Sequence, residues 1–277
     1  LTIVTISVSY YTLESPYYLM MREKESEAML NLSILNSSGT ADQVMNLFKD
    51  LEKYVDEEKS GCIDFYKSLT KKENLKLFLF MTTICVIAYI NFSEVFVPGH
   101  EYNDVHFSSI WSLTTISLIG IIFSMVPIFV FKRQFLLSGG FAFVAFLQLV
   151  NATLFYVEDT EYYHTFLQSN YNRVRMVIPT LLYTVYVSII YPLLYILRGE
   201  MFSYSMKVRG NALIEIFHIS VPMALHFALS PATTNFGAGI TYALHAILSW
   251  LMAVYVIVYY RDTKSRSLLE IRVLYRI

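Results

Sequence analysis

The sequence is poor in charged residues, in glycine and proline, and in cysteine. Asp, Glu, Lys and Arg make up 16% of its 277 residues, whereas a soluble domain usually carries about 25%. Ten glycines and seven prolines are too few for a collagen-like or a disordered chain. Two cysteines, Cys62 and Cys85, are too few for a disulfide framework or a cysteine-based zinc site. The net charge of −1 disfavours nucleic acid as a partner, because phosphate binding needs an excess of basic residues.

Apolar and aromatic residues take the place of the missing charge. Hydrophobic residues make up 55% of the chain, which contains 22 Tyr and 20 Phe, and the mean hydropathy is +0.47. Aromatic side chains are enriched where a protein meets the membrane interface. We find no metal, nucleotide, nucleophile–base or phosphate-loop motif, so we expect neither an enzyme nor a bound cofactor. The composition predicts an integral membrane protein.

Six stretches are long and apolar enough to cross a bilayer, which takes roughly 20 residues of helix. They are residues 75–97, 107–131, 135–156, 176–197, 210–230 and 238–260. Each is apolar on all sides, unlike the one-sided pattern of a soluble helix. We therefore predict an all-α membrane protein with a six-helix transmembrane bundle at 75–260. Residues 1–12 resemble the end of an incomplete transmembrane helix.

Basic residues are distributed unevenly between the connections. If successive spans cross the membrane in opposite directions, 19 of the 21 Lys and Arg fall on one side of it. Only Arg173 and Arg175 fall on the other side. Cytoplasmic connections carry the excess of Lys and Arg. The distribution predicts that segment 13–74 and the tail 261–277 are cytoplasmic.

Segment 13–74 differs in character from the spans, because it contains charged blocks such as residues 22–25 and 56–59. Val44, Leu47, Leu51 and Val55 recur at helical spacing within it. We predict a helical linker domain of two or three short amphipathic helices. A solvated linker without such helices is the alternative.

Three short motifs resemble those of the sugar porters of the major facilitator superfamily. Residues 13–19, LESPYYL, resemble the PESPRYL signature that follows the sixth helix in that family. Residues 191–200, YPLLYILRGE, resemble the tenth-helix pattern GPIPWLMLGE, and residues 262–271, DTKSRSLLEI, resemble the closing PETKGKTLEEI. The motifs occur in the family's order, and the resemblance is nearest to the insect trehalose- and glucose-transporter-like branch. It identifies the chain as the C-terminal half of such a porter.

The resemblance implies a fold and a partner. Family members have twelve helices in two six-helix halves with a helical cytoplasmic domain between them, and the solute is bound between the halves. This chain then forms a six-helix half-bundle preceded by a short helical cytoplasmic domain. Because one half lacks an opposite wall, the missing N-terminal six-helix half is expected as a partner, along with the lipid bilayer and a small sugar-like solute.

The resemblance also implies a charge network that closes the inner gate. Its residues here are Glu14, Lys132, Arg133, Glu200, Arg209 and Asp262. Glu200 and Arg209 are expected to pair, with ordinary membrane flanks as the alternative. Lys132 and Arg133 stand where the family has a basic pair, but the acidic and glycine positions of that loop are Ile128 and Phe131, so a topological anchor is the favoured interpretation of this pair.

The solute-binding residues implied by the resemblance are Pro192, Tyr195, Ser220, Thr82 and Thr83. A proline inside a membrane helix bends it and frees a carbonyl. Tyr195 replaces the family's tryptophan, with aromatic packing as the alternative role. The sugar-binding amides of the family's seventh helix align with hydrophobic residues, which are Phe80, Met81 and Val86. This replacement predicts a sugar site that is erased or rebuilt, and weak hexose binding.

Three ionisable residues lie inside the fifth predicted span, which are Glu215, His218 and His226. Glu215 and His218 are three residues apart, so they share a helix face and can share a proton. For Glu215 we favour pairing with Arg209 or reaching toward the membrane surface. The leading hypothesis is facilitated diffusion of a sugar or related solute by alternating access, in the plasma membrane. A degenerate non-transporting membrane protein and a transporter of a less polar organic solute are the rival hypotheses.

Overall fold

The computed structural model describes residues 13–37, 39–61, 69–96, 127–158, 168–202, 204–236, 238–264 and 268–275, with positions 115, 118–120, 122 and 266 between them. Every regular element in these residues is a helix. The chain divides into two compact units, Leu1–Lys71 with Ser203–Met206, and Lys72–Phe202 with Lys207–Ile277. The predicted helix end at 1–12 and most of the predicted span 107–131 lie outside the described residues.

The described residues of the first unit form three helices, which are α1 (Pro16–Met21), α2 (Glu25–Leu35) and α3 (Ala41–Gly61). Leu19, Met20, Ala28 and Val55 form their buried core, with Phe48 and Leu51 packed against it. Leu47 of the predicted apolar stripe is exposed. The buried face of α3 is therefore centred on Phe48, Leu51 and Val55, which are spaced as one helix face requires.

The second unit contains the long apolar helices. They are α4 (Lys72–Phe96), α5 (Arg133–Glu158), α6 (Gln168–Val185), α7 (Tyr191–Met201), α8 (Tyr204–Phe236), α9 (Ala238–Tyr259) and the short α10 (Leu268–Tyr275). Among the described residues, four segments are long and apolar enough to cross a membrane: Lys72–Asn91, Arg133–Val157, Val177–Met201 and Gly239–Tyr259. These four overlap four of the predicted spans.

The fifth predicted span, 210–230, lies inside α8, whose 33 residues are more than a bilayer requires. This helix is not among the four apolar segments. Its first half includes five strongly polar residues, which are Lys207, Arg209, Asn211, Glu215 and His218. Since the span 107–131 is largely outside the described residues, the six-span count stays a prediction.

Among the described residues of the second unit, the most extensive contact between two helices is that of α5 with α9. Small buried residues on both helices, among them Ala145, Ala152, Ala246 and Ala253, let the backbones approach each other. The opposite face of α9 is apolar and exposed, as at Trp250. An apolar exposed face on a membrane-spanning helix is suited to contact with lipid.

A change of helix type separates α6 from α7. Residues Tyr186–Ile190 form one turn of π-helix directly before Pro192, which lies in the first turn of α7. Proline has no backbone N–H, so it cannot continue the regular helical bonding pattern. Single π turns of this kind occur often at functional sites. Pro192, which was predicted to bend this span, therefore follows a π turn.

The C-terminal helix α10 is attached to the end of α9 by one phenol. The Tyr275 hydroxyl donates to the Arg261 carbonyl at 2.9 Å and accepts from the Arg261 backbone N–H at 3.1 Å. Burial raises the pKa of this hydroxyl above its usual value. The two bonds hold the tail beside the charged residues described next.

Candidate functional site

A cluster of charged and polar residues lies where α5 begins, α7 ends and the segment after α9 starts. We call Arg133, Glu200, Asp262 and Thr263 the end cluster. The Arg133 guanidinium forms a salt bridge with Glu200 and donates to the Thr263 hydroxyl at 3.1 Å. The Thr263 hydroxyl donates to the Glu200 carboxylate at 2.9 Å. Asp262 accepts a hydrogen bond from the Arg133 backbone N–H at 3.2 Å.

The end cluster satisfies two helix termini. The first N–H groups of a helix have no partner within it and favour a negative charge, and Asp262 supplies both an acceptor and that charge to α5. An acid in the last turn of a helix is disfavoured by the helix dipole, and Arg133 offsets this at Glu200. The Arg133 and Glu200 side chains are only 17% and 24% exposed. Their attraction is therefore less screened than that of a surface pair.

The structure brings together three of the six residues predicted for the gate, Arg133, Glu200 and Asp262. The expected partner of Glu200 was Arg209, whereas the structure pairs Glu200 with Arg133. Arg209 and Lys132 are exposed. Glu14 belongs to the first unit, where its carbonyl accepts from the Asn31 side chain at 2.9 Å. The role of these residues as a gate stays a prediction.

A second cluster lies inside the apolar helices. We call Cys85, Arg198, Glu215 and His218 the internal cluster. The Arg198 guanidinium forms a salt bridge with Glu215 and donates to the Cys85 sulfur at 3.0 Å. The other Glu215 oxygen is 3.1 Å from Nδ1 of His218. Helices α4, α7 and α8 each contribute to this cluster, so it links three elements through polar contacts.

Aromatic rings surround the internal cluster. The Arg198 guanidinium lies over the Tyr195 ring, 5.5 Å from its centroid. The Tyr191 hydroxyl donates to the Tyr195 hydroxyl at 3.1 Å, and both side chains are exposed. The Tyr89 ring meets the His218 ring edge to face at 4.8 Å. Tyr195, predicted to contact the solute, is therefore both exposed and adjacent to a charge.

The four members of the internal cluster differ in exposure. The Arg198 side chain is 5% exposed and that of His218 is 7% exposed, whereas 41% of the Glu215 side chain is exposed. Cys85 is buried and carries a free thiol. Among the described residues, Nε of Arg198 and Nε2 of His218 are buried without a hydrogen-bond partner. Glu215 is thus the member that a molecule outside the bundle is able to reach.

The remaining predicted solute residues have less distinctive surroundings. Ser220 is exposed and donates to the Ile216 carbonyl at 2.6 Å. Thr83 is exposed and donates to the Leu79 carbonyl at 2.8 Å. Thr82 is half-buried, and its hydroxyl has no hydrogen-bond partner among the described residues.

Two hydrophobic residues predicted to replace the family's sugar-binding amides do not line an exposed wall. Met81 is fully buried, and Phe80 is buried with its ring packed against Tyr255 and Tyr260. Both side chains therefore pack inside the bundle, because they lie on the face of α4 that other helices cover. These two side chains therefore do not contact a solute directly in this conformation, and the weak binding of hexose stays a prediction.

Sequence reasoning missed Arg198, because this residue was counted only among the basic membrane flanks. Glu215 was expected to pair with Arg209, and the structure gives it Arg198 as a partner. One signal was present in the sequence: Arg198 directly follows the apolar run 192–197, at the end of the predicted span 176–197. An ionisable residue in such a position is a candidate functional residue with a partner of opposite charge.

Helical segments long and apolar enough to cross a bilayer define the class of this molecule, an integral membrane protein. Its fold matches that of a major facilitator superfamily proton:xylose symporter bound to 6-bromo-6-deoxy-D-glucose. The TM-score is 0.73 and the identity 16%, over 99% of this chain and 56% of that chain.

Sequence comparison supports the same assignment. The arabinose-proton symporter of Bacillus subtilis (strain 168) is 21% identical over 269 residues, which are 95% of this chain and 55% of that protein. The profile of the family described as "Sugar (and other) transporter" matches residues 1–275. The chain therefore belongs to the sugar transporter family. It spans about half the length of the relatives it matches.

Proposed function

We propose that this chain forms the C-terminal half of an alternating-access transporter for a sugar or a related small solute. The observation that carries the proposal is an exposed surface of Tyr191, Tyr195 and Glu215 on helices α7 and α8 of a sugar transporter family member. Aromatic rings and a carboxylate suit the two sides of a sugar, its C–H face and its hydroxyl groups.

An opposing half is part of this proposal. In transporters built from structural repeats, the solute site lies between the repeats near the bilayer midplane. The relatives are about twice as long as this chain. We propose that a six-helix N-terminal half completes the cavity. Rocking of the two halves then exposes the site to each side of the membrane in turn.

The end cluster is the proposed inner gate. Its salt bridge is partly buried, so the cluster stabilises the conformation in which this end of the pathway is closed. No covalent step is involved, because the solute moves down its gradient unchanged. We favour facilitated diffusion, since Glu215, the acid inside α8, is already engaged by Arg198.

Proton-coupled transport is a second candidate function. Two observations favour it. Glu215 contacts His218 on α8, and the chain is similar to an arabinose-proton symporter and a proton:xylose symporter. A histidine paired with a carboxylate is a suitable group for carrying a proton. The rival hypotheses of a non-transporting protein and of a less polar solute make opposite predictions about uptake.

Uptake into proteoliposomes tests these alternatives. We expect the full-length protein to take up labelled trehalose or glucose saturably, to stop when the inner and outer concentrations are equal, and to be unaffected by an imposed pH gradient or a protonophore. Accumulation above equilibrium that a protonophore abolishes would establish proton coupling instead. Uptake restricted to a hydrophobic solute, or no uptake of any solute, would contradict the sugar proposal.

The proposed orientation places segment 13–74 and the tail 261–277 in the cytoplasm of a cell whose plasma membrane holds the protein. It is tested with single cysteines at Asp42 and Arg266, both exposed, in a Cys62→Ser background where only buried Cys85 remains. An impermeant maleimide should label neither site in intact cells and both after permeabilisation. A cysteine at Asn103, in a predicted external connection, is the matched control and should be labelled in intact cells. Labelling of Asp42→Cys from outside would reverse the orientation.

A further inference from the structure

We infer that the Glu215 carboxylate is a solute-binding group that accepts hydrogen bonds from the hydroxyls of a neutral, polyhydroxylated solute. This inference rests on the proposed function. It assigns the recognition of hydroxyl groups to the internal cluster, and it makes Glu215 a specificity-determining residue.

The first step concerns the surroundings of Glu215. Its side chain is 41% exposed on α8, within the fifth predicted span. A carboxylate that is paired with an arginine cannot favourably be presented to hydrocarbon, because a charged side chain inside the membrane is costly unless it meets protein or water. The exposed side of Glu215 therefore faces an aqueous pathway, and in an alternating-access protein that pathway is the solute cavity.

The second step concerns what holds the carboxylate. One oxygen is engaged by Arg198 and the other by His218. Each carboxylate oxygen has two lone-pair directions, so both retain acceptor capacity toward the cavity. Arg198 is almost fully buried and His218 is buried, so these two residues orient the carboxylate while Glu215 alone presents it. A group held in this way loses little freedom when it binds a solute.

The third step concerns charge. Arg198 offsets the charge of Glu215, so the pair does not attract a cation through net charge, and the exposed carboxylate disfavours an anion. A neutral hydroxyl group is the donor that matches this acceptor.

The exposed rings beside the internal cluster fit the same kind of solute. Tyr195 is linked to the cluster through the guanidinium over its ring, and Tyr191 is linked to Tyr195 through their hydroxyls. These residues supply aromatic faces and phenol hydroxyls next to the carboxylate. A ring with a C–H face and several hydroxyls satisfies both parts of this surface.

The test combines a substitution in the protein with the deletion of single hydroxyls from the solute. Competition by D-glucose and its 2-, 3-, 4- and 6-deoxy analogues is measured on the full-length protein and on its Glu215→Gln variant. A hydrogen bond to a charged group corresponds to about a 10- to 100-fold change in affinity. We expect the wild type to bind one deoxy analogue more weakly than glucose by this factor. The Glu215→Gln variant should bind glucose more weakly than the wild type does by the same factor. The variant should bind that deoxy analogue no more weakly than it binds glucose.

Glu200→Gln is the matched control, because it makes the same chemical change in the end cluster. Its effects and those of the deoxy analogues should be additive. If Glu215 only supports Arg198, Glu215→Gln will weaken all analogues by one common factor, and the inference is overturned. A wild-type protein that binds none of these sugars contradicts the proposed function itself, so the two failures are distinguishable.

A second variant covers the case in which Glu215→Gln does not fold, since that substitution leaves Arg198 buried without a counter-charge. The double variant Arg198→Leu/Glu215→Leu removes both charges together. It should fold and should no longer distinguish glucose from the one critical deoxy analogue. Retained discrimination in this double variant would overturn the inference.

Discussion

Glu215→Leu should destabilise the protein more than Arg198→Leu, and the double variant should be affected least. The reason is the unequal burial of the two partners, with the Arg198 side chain 5% and the Glu215 side chain 41% exposed. Removing one partner of a buried ion pair costs about 3–5 kcal/mol, because it leaves an uncompensated buried charge. We expect Glu215→Leu to cost about 3 kcal/mol, since it leaves the buried guanidinium. Arg198→Leu leaves a carboxylate that water reaches, so its cost should be about half as large.

The double variant removes both charges and both desolvation costs. Replacing a buried ion pair with apolar residues of similar volume is often neutral, so Arg198→Leu/Glu215→Leu should lie within about 1 kcal/mol of the wild type. The free energy of unfolding in detergent micelles is measured for the wild type, the two single variants and the double variant. These four values give the coupling energy between positions 198 and 215. Additive effects, or a larger loss for Arg198→Leu than for Glu215→Leu, would contradict the burial and pairing seen here.

Much of the fold followed from local features of the sequence. Four of the predicted spans overlap apolar helices of the structure. A run of about 20 apolar residues crosses a membrane as a helix, because a helix satisfies its own backbone hydrogen bonds. The π turn at Tyr186–Ile190 did not follow from the sequence. Pro192 predicted a bend in the helix. Whether a π turn precedes the proline depends on how α6 and α7 pack against their neighbours.

The sequence predicted which residues belong to the end cluster better than it predicted which of them pair with each other. Family motifs pointed to Arg133, Glu200 and Asp262, and the structure brings these together. The family resemblance implied that Glu200 pairs with Arg209. The structure pairs Glu200 with Arg133, which is 67 residues away. Such a pairing depends on how the helices pack, and a single sequence does not show which helices are neighbours.

The same limit explains the internal cluster. Glu215 and His218 share a helix face, so their proximity follows from helical spacing alone. Cys85 and Arg198 are 113 residues apart and come together only when α4 packs against α7. The burial of Phe80 and Met81 was also beyond prediction, since apolar residues lie on every side of this helix. The covered face of α4 is decided by its neighbours.

Arg133→Gln should lower the maximal rate of uptake by about 10-fold without changing the affinity for the solute. Arg133 bonds Glu200 and Thr263 through its side chain, and Gln has neither the charge nor the forked donor group. Loss of a partly buried, hydrogen-bonded ion pair is worth about 1–2 kcal/mol, which shifts the closed–open equilibrium of this end by roughly 5- to 30-fold. The internal cluster is built from other residues, so the apparent KM should stay near that of the wild type.

The neighbouring residue offers a matched comparison. Lys132→Gln removes the same charge one position earlier, from an exposed side chain, and exposed charges contribute little. Its effect on uptake should therefore be smaller than that of Arg133→Gln. In the double variant Arg133→Gln/Glu200→Gln the two losses should not add, because either substitution alone already breaks the same bridge. Equal effects at Lys132 and Arg133, or fully additive losses at Arg133 and Glu200, would mean that the end cluster anchors the helices without closing the pathway.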